Sequence, residues 1–374
     1  MDLTFLSQLL QAPLALTWQN LVMMAAGGVL IYLAIAKEYE PVLLLPIGFG
    51  AILTNLPLTG VTTPEGFLGI LYAAGIRTEL FPLLIFIGVG AMTDFGPLLE
   101  NPKMALLGAA GQIGIFGTLM LALVLGFDLN ESASIGIIGA IDGPTAIYVS
   151  TKLAPHLLGP IAVAAYSYMS LVPIIQPPVM RALTTEAERK VRMPYTQTEV
   201  KRVVRILFPI VVTVVISLIA PVASPLIAAL MFGNLMRESG VVDRLSKSAQ
   251  NEIANVTTIF LGLVIGSTMT GASFIQMDTL LILGMGLLAF VLDTVGGVLF
   301  GKLLYLLSNK QFNPLIGAAG ISAFPMSARI VQRLGQEYDF ENFLLMHAMG
   351  ANTAGQLGSV VAGGVVLALL SGMG

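Results

Sequence analysis

The sequence predicts an all-α polytopic membrane protein made of two inverted repeats, each of about five crossings plus one re-entrant broken-helix hairpin. Composition is the first reason: only 10% of the 374 residues are charged, 56% are hydrophobic, and the mean hydropathy is +0.88. Soluble domains carry about 25% charged residues. The second reason is a pair of distant stretches that read as copies of one unit, Gly139-Ala-Ile-Asp-Gly-Pro-Thr-Ala-Ile-Tyr148 and Gly317-Ala-Ala-Gly-Ile-Ser-Ala-Phe-Pro325. Each begins apolar, breaks at Gly and Pro, and leaves polar oxygens at the break. The third is spacing: Met92 in Gly-Ala-Met-Thr lies 47 residues before Gly139, and Met269 in Ser-Thr-Met-Thr lies 48 before Gly317. Paired discontinuous helices at corresponding positions of two halves point to an ion or substrate site near the bilayer midplane.

A crossing needs roughly 20 apolar residues. Such runs fall near 20–36, 41–58, 80–98, 104–126 and 160–180, then near 206–221, 223–236, 252–275, 278–307 and 343–371. The segments 133–153 and 314–334 remain as the broken ones. Cytoplasmic loops are enriched in Lys and Arg, and the loop holding Arg181, Arg189, Lys190, Arg192, Lys201, Arg202 and Arg205 is therefore placed inside. The first 36 residues carry no Lys or Arg, which puts the N-terminus outside. A full crossing by 133–153 would carry the basic loop outside; a segment that enters and returns keeps it inside. Lys302, Lys310, Arg329 and Arg333 then also fall inside, and the second broken segment dips in from the cytoplasm. Lys152 on the outer arm is a violation, and a further crossing near 64–76 would upset the count. Five crossings per half is an odd number, so the second half is inverted and the hairpins meet tip to tip, an elevator-transporter-like layout. The chain divides into a first repeat (1–183), a basic cytoplasmic loop (184–205) and an inverted second repeat (206–374).

Composition also excludes several chemistries. With no cysteine there is no disulfide, thiol catalysis or cysteine metal site. Two histidines in the whole chain rule out a histidine-rich metal centre. A soluble domain of useful size has no room, and the N-terminal residues lack the basic n-region of a signal peptide. The net charge of −3 says little about partners, because the distribution of charge matters more here than its sum.

Asp142 is the most informative residue. A carboxylate at membrane depth is costly unless paired, hydrated or neutralised. Gly143-Pro144 after it frees backbone carbonyls and exposes the N-terminus of the following arm. The combination suits a hard monovalent cation, which wants oxygen ligands, and it suits a proton, since desolvation favours a neutral carboxyl. Asp-Gly-Pro is also ordinary turn chemistry in which Asp142 caps the second arm, but so apolar a run is a poor place for a mere cap. The second tip offers Asn313, Ser322 and the run Gly317-Ala-Ala-Gly320; there Asn313-Pro314 could simply start a helix and the glycines could serve close packing.

The helix after each hairpin is polar on one side, with Tyr166, Ser167, Tyr168, Ser170 and Gln176 after the first and His347, Asn352, Thr353, Gln356 and Ser359 after the second. Residues three, four and seven apart share a helix face. Tyr168 and Asn352 are placed beside the tips by the repeat, while Gln356 and Ser359 read as interhelical hydrogen bonds and His347 as a packing histidine. Asp94 lies near a cytoplasmic end and reads as hydrated. Asp293, mid-run in Ala289-Phe-Val-Leu-Asp-Thr-Val-Gly-Gly297, is a second candidate carboxylate. The basic loop reads as a topology determinant and, secondarily, as a docking surface for an acidic partner.

At these residues the chain resembles the β subunits of the sodium-translocating, biotin-dependent decarboxylases. The strings that carry the likeness are Gly139-Ala-Ile-Asp-Gly-Pro-Thr145, Ala165-Tyr-Ser-Tyr-Met-Ser-Leu-Val-Pro173, Asn313-Pro-Leu-Ile-Gly-Ala-Ala-Gly-Ile-Ser-Ala-Phe-Pro325 and Gly350-Ala-Asn-Thr353. The resemblance implies a subunit that decarboxylates carboxybiotin while exporting Na⁺ and taking up a proton. It implies catalytic roles for Asp142, Tyr168 and Arg329, sodium binding at Asp142, Asn313, Gly317, Ser322, Asn352 and Tyr168, and carboxybiotin docking near Arg329. Its implied partners are a biotin carrier subunit, a carboxyltransferase α subunit and a small membrane anchor subunit. A homo-oligomeric core, a multi-pass place in the cell's inner membrane and no nucleic acid complete that picture. Pro102-Lys103-Met104 lacks the Ala-Met that would precede a biotinylated lysine, so biotin arrives on a partner. The chain is short for the oxaloacetate type, which tilts the reading to an acyl-CoA decarboxylase, methylmalonyl-CoA or glutaconyl-CoA. The rival expectation is a cation-coupled secondary transporter of an organic anion, which would need a cationic anchor at a tip.

Overall fold

All ten apolar runs form helices in a computed structural model of the chain, which describes residues 11, 13–194 and 200–371, and no strand occurs among them. Residues 1–10 and 12 of the first predicted repeat, 195–199 of the basic loop and 372–374 of the second repeat lie outside the described residues. The first half comprises α1 (Trp18–Ala36), α2 (Pro41–Thr54), α3 (Phe67–Leu71, continued by a π turn at Tyr72–Ile76), α4 (Leu80–Met92), α5 (Gly96–Glu100), α6 (Met104–Ala110), α7 (Ile113–Val124), α8 (Leu129–Gly136), α9 (Gly143–Leu153), α10 (Leu158–Ser170) and α11 (Val172–Leu183). After the short α12 (Glu186–Arg189) come α13 (Arg202–Ile219), α14 (Ser224–Ser239), α15 (Asp243–Ser248, continued by a π turn at Ala249–Ile253), α16 (Ala254–Ser267), α17 (Gly271–Phe274), α18 (Met277–Leu307), α19 (Met326–Tyr338) and α20 (Leu345–Ser371).

The expected ten crossings are not all matched. Among the described residues five helices are long and apolar enough to cross alone, or up to seven if each of two bent pairs is one span. α2, α14 and α16 have only 14, 16 and 14 residues, short of a full crossing. The 64–76 stretch is α3 with its π turn, bent by 63° against α4. The 160–180 run bends by 67° at Leu171, where Pro173 opens α11 and supplies no N–H. The outer faces are apolar: α13 exposes Val203, Leu207, Val211, Val214 and Leu218. Such a face opposes solubility in water at about 25 cal/mol per Å², whereas lipid tails are as apolar as leucine.

Two helix pairs pack together where α16 meets α4, and both rest on glycine. In the α2–α16 pair a Cβ on Gly50 would strike the Leu263 carbonyl and one on Gly266 the Ile47 carbonyl. In the α14–α4 pair Gly233 meets the Ile87 carbonyl and Gly90 the Leu230 carbonyl in the same way. An asparagine ties each pair: Asn55 donates to the Met269 carbonyl (2.7 Å) and Asn234 to the Thr93 carbonyl (2.9 Å). Beyond α4, Arg205 and Arg237 share Asp94 and Glu238 at 2.8–3.5 Å, gathering the ends of α4, α13 and α14 on one face. Asp94 is therefore ion-paired rather than merely hydrated.

Both broken segments fold back on themselves. Glu131 in the first turn of α8 meets His156, just past α9, at 2.9 Å, so the first hairpin returns to where it began. The second hairpin starts at Asn313 and ends beyond α19 at Asn342; both amides donate to the Arg189 carbonyl at 3.0 Å. The roots lie at opposite ends of α18. Glu131 and His156 share a surface cleft with Gln276 and Asp278 at its start, while Gly301 near its end packs against the Pro314 carbonyl. At about 1.5 Å per residue that helix is long enough to cross the bilayer obliquely. Lys152, out of place by the charge rule, is paired with Glu79 at 2.7 Å.

The basic segment differs from the docking surface expected of it. Arg181 pairs with Glu337 (2.5 Å) and Arg192 with Asp339 (2.6 Å) and Glu341 (2.7 Å), while Arg189 lies over the Tyr338 ring at 4.6 Å. Lys190 is taken by Glu186. Residues 181–194 thus strap the root of the second hairpin, and their charge is largely spent within the chain. Exposed ion pairs are each worth about 0–1 kcal/mol, so the buried Asn313 amide is the stronger fastening.

Gly266→Val is expected to lower the melting temperature in detergent by several degrees, because the added atoms meet a backbone carbonyl that cannot yield. Gly284→Ala, in open space on α18, is expected to be neutral or slightly stabilising. Equal loss in both variants would argue against the close contact as the cause.

Candidate functional site

Asp142 owes its position to a break that the local sequence enforces. α8 tightens into a 3₁₀ turn at Ile137–Ala140, and Ile141 then takes a left-handed backbone, φ 53°. For a β-branched residue that conformation costs about 1–3 kcal/mol and persists only where the surroundings over-determine it. Asp142 caps α9, and Pro144 in the first turn has no N–H to satisfy. Its carboxylate accepts from Thr145 Oγ1 (2.9 Å), Gln356 Nε2 (3.1 Å) and Ser359 Oγ (3.2 Å), all at Oδ2. Oδ1 has only a long 3.5 Å approach from the Thr145 N–H. No cationic side chain is paired with it among the described residues, although Asp142 is 5% exposed.

The second break lies across a common cavity of about 440 Å³. Ile141, Asp142 and Pro144 line it from the first tip, Ser322 to Met326 from the second, and Gln356 from α20. Ser322 Oγ donates to the Gly355 carbonyl (3.3 Å) and Asn352 Nδ2 to the Ile321 carbonyl (2.6 Å). Asn352 Oδ1 and the Tyr166 hydroxyl are buried without a hydrogen-bond partner among the described residues. The Tyr166 ring lies flush on Gly143, leaving no room for a Cβ. Among the described residues no Lys, Arg or His lines the cavity. Around Asp142 the polar groups are a carboxylate, hydroxyls and amides, chemistry that suits a hard cation.

A family model described as the Na⁺-transporting oxaloacetate decarboxylase beta subunit matches residues 19–370. This chain belongs to that family. It is 55% identical over 358 residues to the glutaconyl-CoA decarboxylase subunit beta of Acidaminococcus fermentans, covering 96% of this chain and 95% of the relative. The methylmalonyl-CoA decarboxylase subunit beta of Veillonella parvula is 56% identical with the same coverage. The oxaloacetate decarboxylase beta chain of Klebsiella pneumoniae is 47% identical over 407 residues, covering 92% and 94%. The protein is accordingly a membrane β subunit of a sodium-pumping decarboxylase.

Within this β subunit the expected site residues do not all converge. Asp142 and Ser322 share the cavity, and Asn352 reaches the second tip. Tyr168 makes no hydrogen bond to Asp142; its hydroxyl donates to the Leu283 carbonyl (2.5 Å) and its ring packs on Gly286. Tyr166, two residues earlier on α10, is the tyrosine beside the tip. Asn313 stands at the hairpin root instead of the tip: its amide donates to the Arg189 and Val191 carbonyls and its Oδ1 accepts from the Leu315 N–H. The sequence Asn-Pro starts a helix there, as its capping chemistry allows. Gly317 abuts Gly297 on α18, which is close packing. Arg329 is exposed on α19, outside the cavity wall. Asp293 is fully buried between Gly114, whose N–H it accepts at 2.5 Å, and Gly139, apart from the cavity.

Gln356, Ser359 and Thr145 were not legible as partners of Asp142. The spacing of Asn352, Gln356 and Ser359 along one helical stripe was the available signal. Gln356→Ala and Ser359→Ala are each expected to raise the sodium concentration for half-maximal activity several-fold, since each removes about 1.5–3 kcal/mol of charge-assisted hydrogen bonding. Unchanged sodium dependence in both would disconnect α20 from the ion. Gly143→Ala, which drives a methyl into the Tyr166 ring, is expected to cost more activity than either, read as sodium-dependent decarboxylation.

Proposed function

We propose that the subunit decarboxylates carboxybiotin presented by a partner biotin carrier, and couples that step to export of Na⁺ and uptake of a proton. The observation that carries this reading is Asp142: a buried carboxylate at a helix break, held by neutral donors only, in a cavity without a cationic side chain. Sodium is the cargo. Its ligands in this reading are Asp142 Oδ1, the buried oxygen of Asn352, Ser322 and nearby tip carbonyls, with Gln356, Ser359 and Thr145 orienting the carboxylate. Asn313 and Gly317 serve by fastening and packing the second hairpin.

Carboxybiotin docks from the basic face, its carboxylate held by Arg329, whose guanidinium has no partner among the described residues. The N–CO₂⁻ bond breaks, CO₂ leaves, and the electron pair returns to the ureido nitrogen, which takes a proton. That proton is the one sodium displaces from Asp142, which shares the cavity wall with Tyr166. Two inverted repeats would allow alternating access by moving the hairpin-bearing helices against the glycine-packed pairs. The reciprocal contacts of Gly50, Gly266, Gly90 and Gly233, the paired π turns and the roots at opposite ends of α18 support that layout.

The alignment with the Klebsiella pneumoniae chain runs over 407 positions, more than this chain's 374 residues, whereas the two acyl-CoA relatives align over 358. That supports an acyl-CoA decarboxylase, of the methylmalonyl-CoA or glutaconyl-CoA kind. A biotin carrier, a carboxyltransferase α subunit and a small anchor subunit then complete a homo-oligomeric complex in the cell's inner membrane. An organic-anion transporter is less well served, since the cavity offers an anion no cationic anchor.

The deciding test is decay of a carboxylated biotin carrier by the reconstituted complex in liposomes, with and without sodium. Sodium-dependent decay with ²²Na⁺ accumulation is expected, and Asp142→Asn is expected to abolish both; normal pumping by that variant would sink the central role of the carboxylate. Arg329→Ala is expected to raise KM for the carboxylated carrier about tenfold or more, the worth of one charge-assisted contact, with the sodium dependence unchanged. A shifted sodium dependence at constant KM would move Arg329 from the docking site to the ion path.

A further inference from the structure

The cavity that ends at Asp142 has a second carboxylate in its wall, contributed by a different part of the molecule. Glu40 sits in the tight link between α1 and α2, and its left-handed backbone (φ 37°, ψ 60°) fixes where the side chain leaves the chain. Although it occupies the cap position of α2, its side chain makes no cap hydrogen bond. No ion pair engages it among the described residues. Glu40 is half-buried where Asp142 is buried, so it stands nearer the surface of the chain. Met92 also lines the cavity, and its carbonyl accepts from Arg237 of the Asp94–Glu238 cluster, so that part of the wall adjoins the face that carries those arginines.

We propose that Glu40 is the entry residue for sodium, a carboxylate in the cavity wall nearer the surface of the chain that draws the cation in and favours its passage to Asp142. Low-dielectric walls lined by one sign of charge focus the field and raise the local concentration of counter-ions. Here, among the described residues, Glu40 and Asp142 are the only charged ones lining the cavity, and the rest of the wall is largely apolar. Glu40 belongs to α2, which packs on α16, while Asp142 belongs to the hairpin. A cation between them therefore bridges the α2–α16 pair and the hairpin. The inference rests on the reading of Asp142 as the sodium carboxylate.

The experiment uses the whole decarboxylase complex in proteoliposomes, with NaCl as the probe and decarboxylation and ²²Na⁺ uptake as readouts. Glu40→Gln is expected to raise the half-saturating sodium concentration about tenfold, the low end of the focusing range, with kcat within about twofold. Glu40→Asp is expected to restore most of the affinity, and Glu40→Lys to weaken it further. Choline chloride at about 0.5 M, where the Debye length falls to a few ångströms, is expected to shrink the difference between wild type and Glu40→Gln; a purely structural defect would persist. Wild-type sodium dependence in Glu40→Gln and Glu40→Lys alike overturns the proposal. Asp142→Asn, run in parallel, separates the two claims: if it is inactive while the Glu40 variants are normal, only the entry role falls. If Asp142→Asn also pumps normally, the site itself was misread.

Discussion

The hydrogen bonds that Gln356 and Ser359 of α20 send to Asp142 join the first hairpin to the last helix of the chain, more than two hundred residues away. Much else depends on that junction. It turns a capping aspartate into a shared group between the two halves, and it leaves one carboxylate oxygen lightly engaged. Neutral donors can hold a carboxylate without cancelling its charge, whereas an arginine there would form a pair with no call for a cation. The strained Ile141 linkage is tolerated because the surrounding helices fix the break from both sides.

The second hairpin is built to the same plan with different atoms. Gln176 from the last helices of the first half donates to the Ala318 carbonyl and accepts from Ser327, much as Gln356 from the second half reaches Asp142. Each half's final helix thus grips the other half's hairpin. Only the first hairpin carries a carboxylate, so the likeness is of framework and the chemistry is one-sided. Glycine makes the framework possible: where Gly111 and Gly355 press on the Gly320 carbonyl, any side chain would push the tip out of reach.

Fastening and function are separated along the chain. The strap at 181–194 holds the root of the second hairpin through exposed ion pairs and buried amides, far from the cavity. Arginine 192 holds the Asp339 carboxyl below the usual carboxylate range, which keeps that clasp charged in ordinary conditions. Arg329 and Arg333, whose side chains have no hydrogen-bond or ion-pair partner among the described residues, lie one turn apart on the exposed face of α19.

By itself the sequence determined the class of protein, the two broken segments and the carboxylate at the first break. These are local properties: apolar composition must be met by lipid, Gly-Pro breaks a helix whatever surrounds it, and an aspartate in such a run needs a reason. It also exposed the family through long contiguous strings. What it did not determine was convergence. Tyr166 and Tyr168 differ by two positions, about 200° around a helix, and only the packing of α10 decides which ring meets Gly143. Asn313 reads as a ligand or a helix start with equal ease until the strap takes up its amide. Glu40 carries no local mark, and Gln356 and Ser359 only a shared helical stripe, because their meaning lies in which distant residue the tertiary structure sets before them.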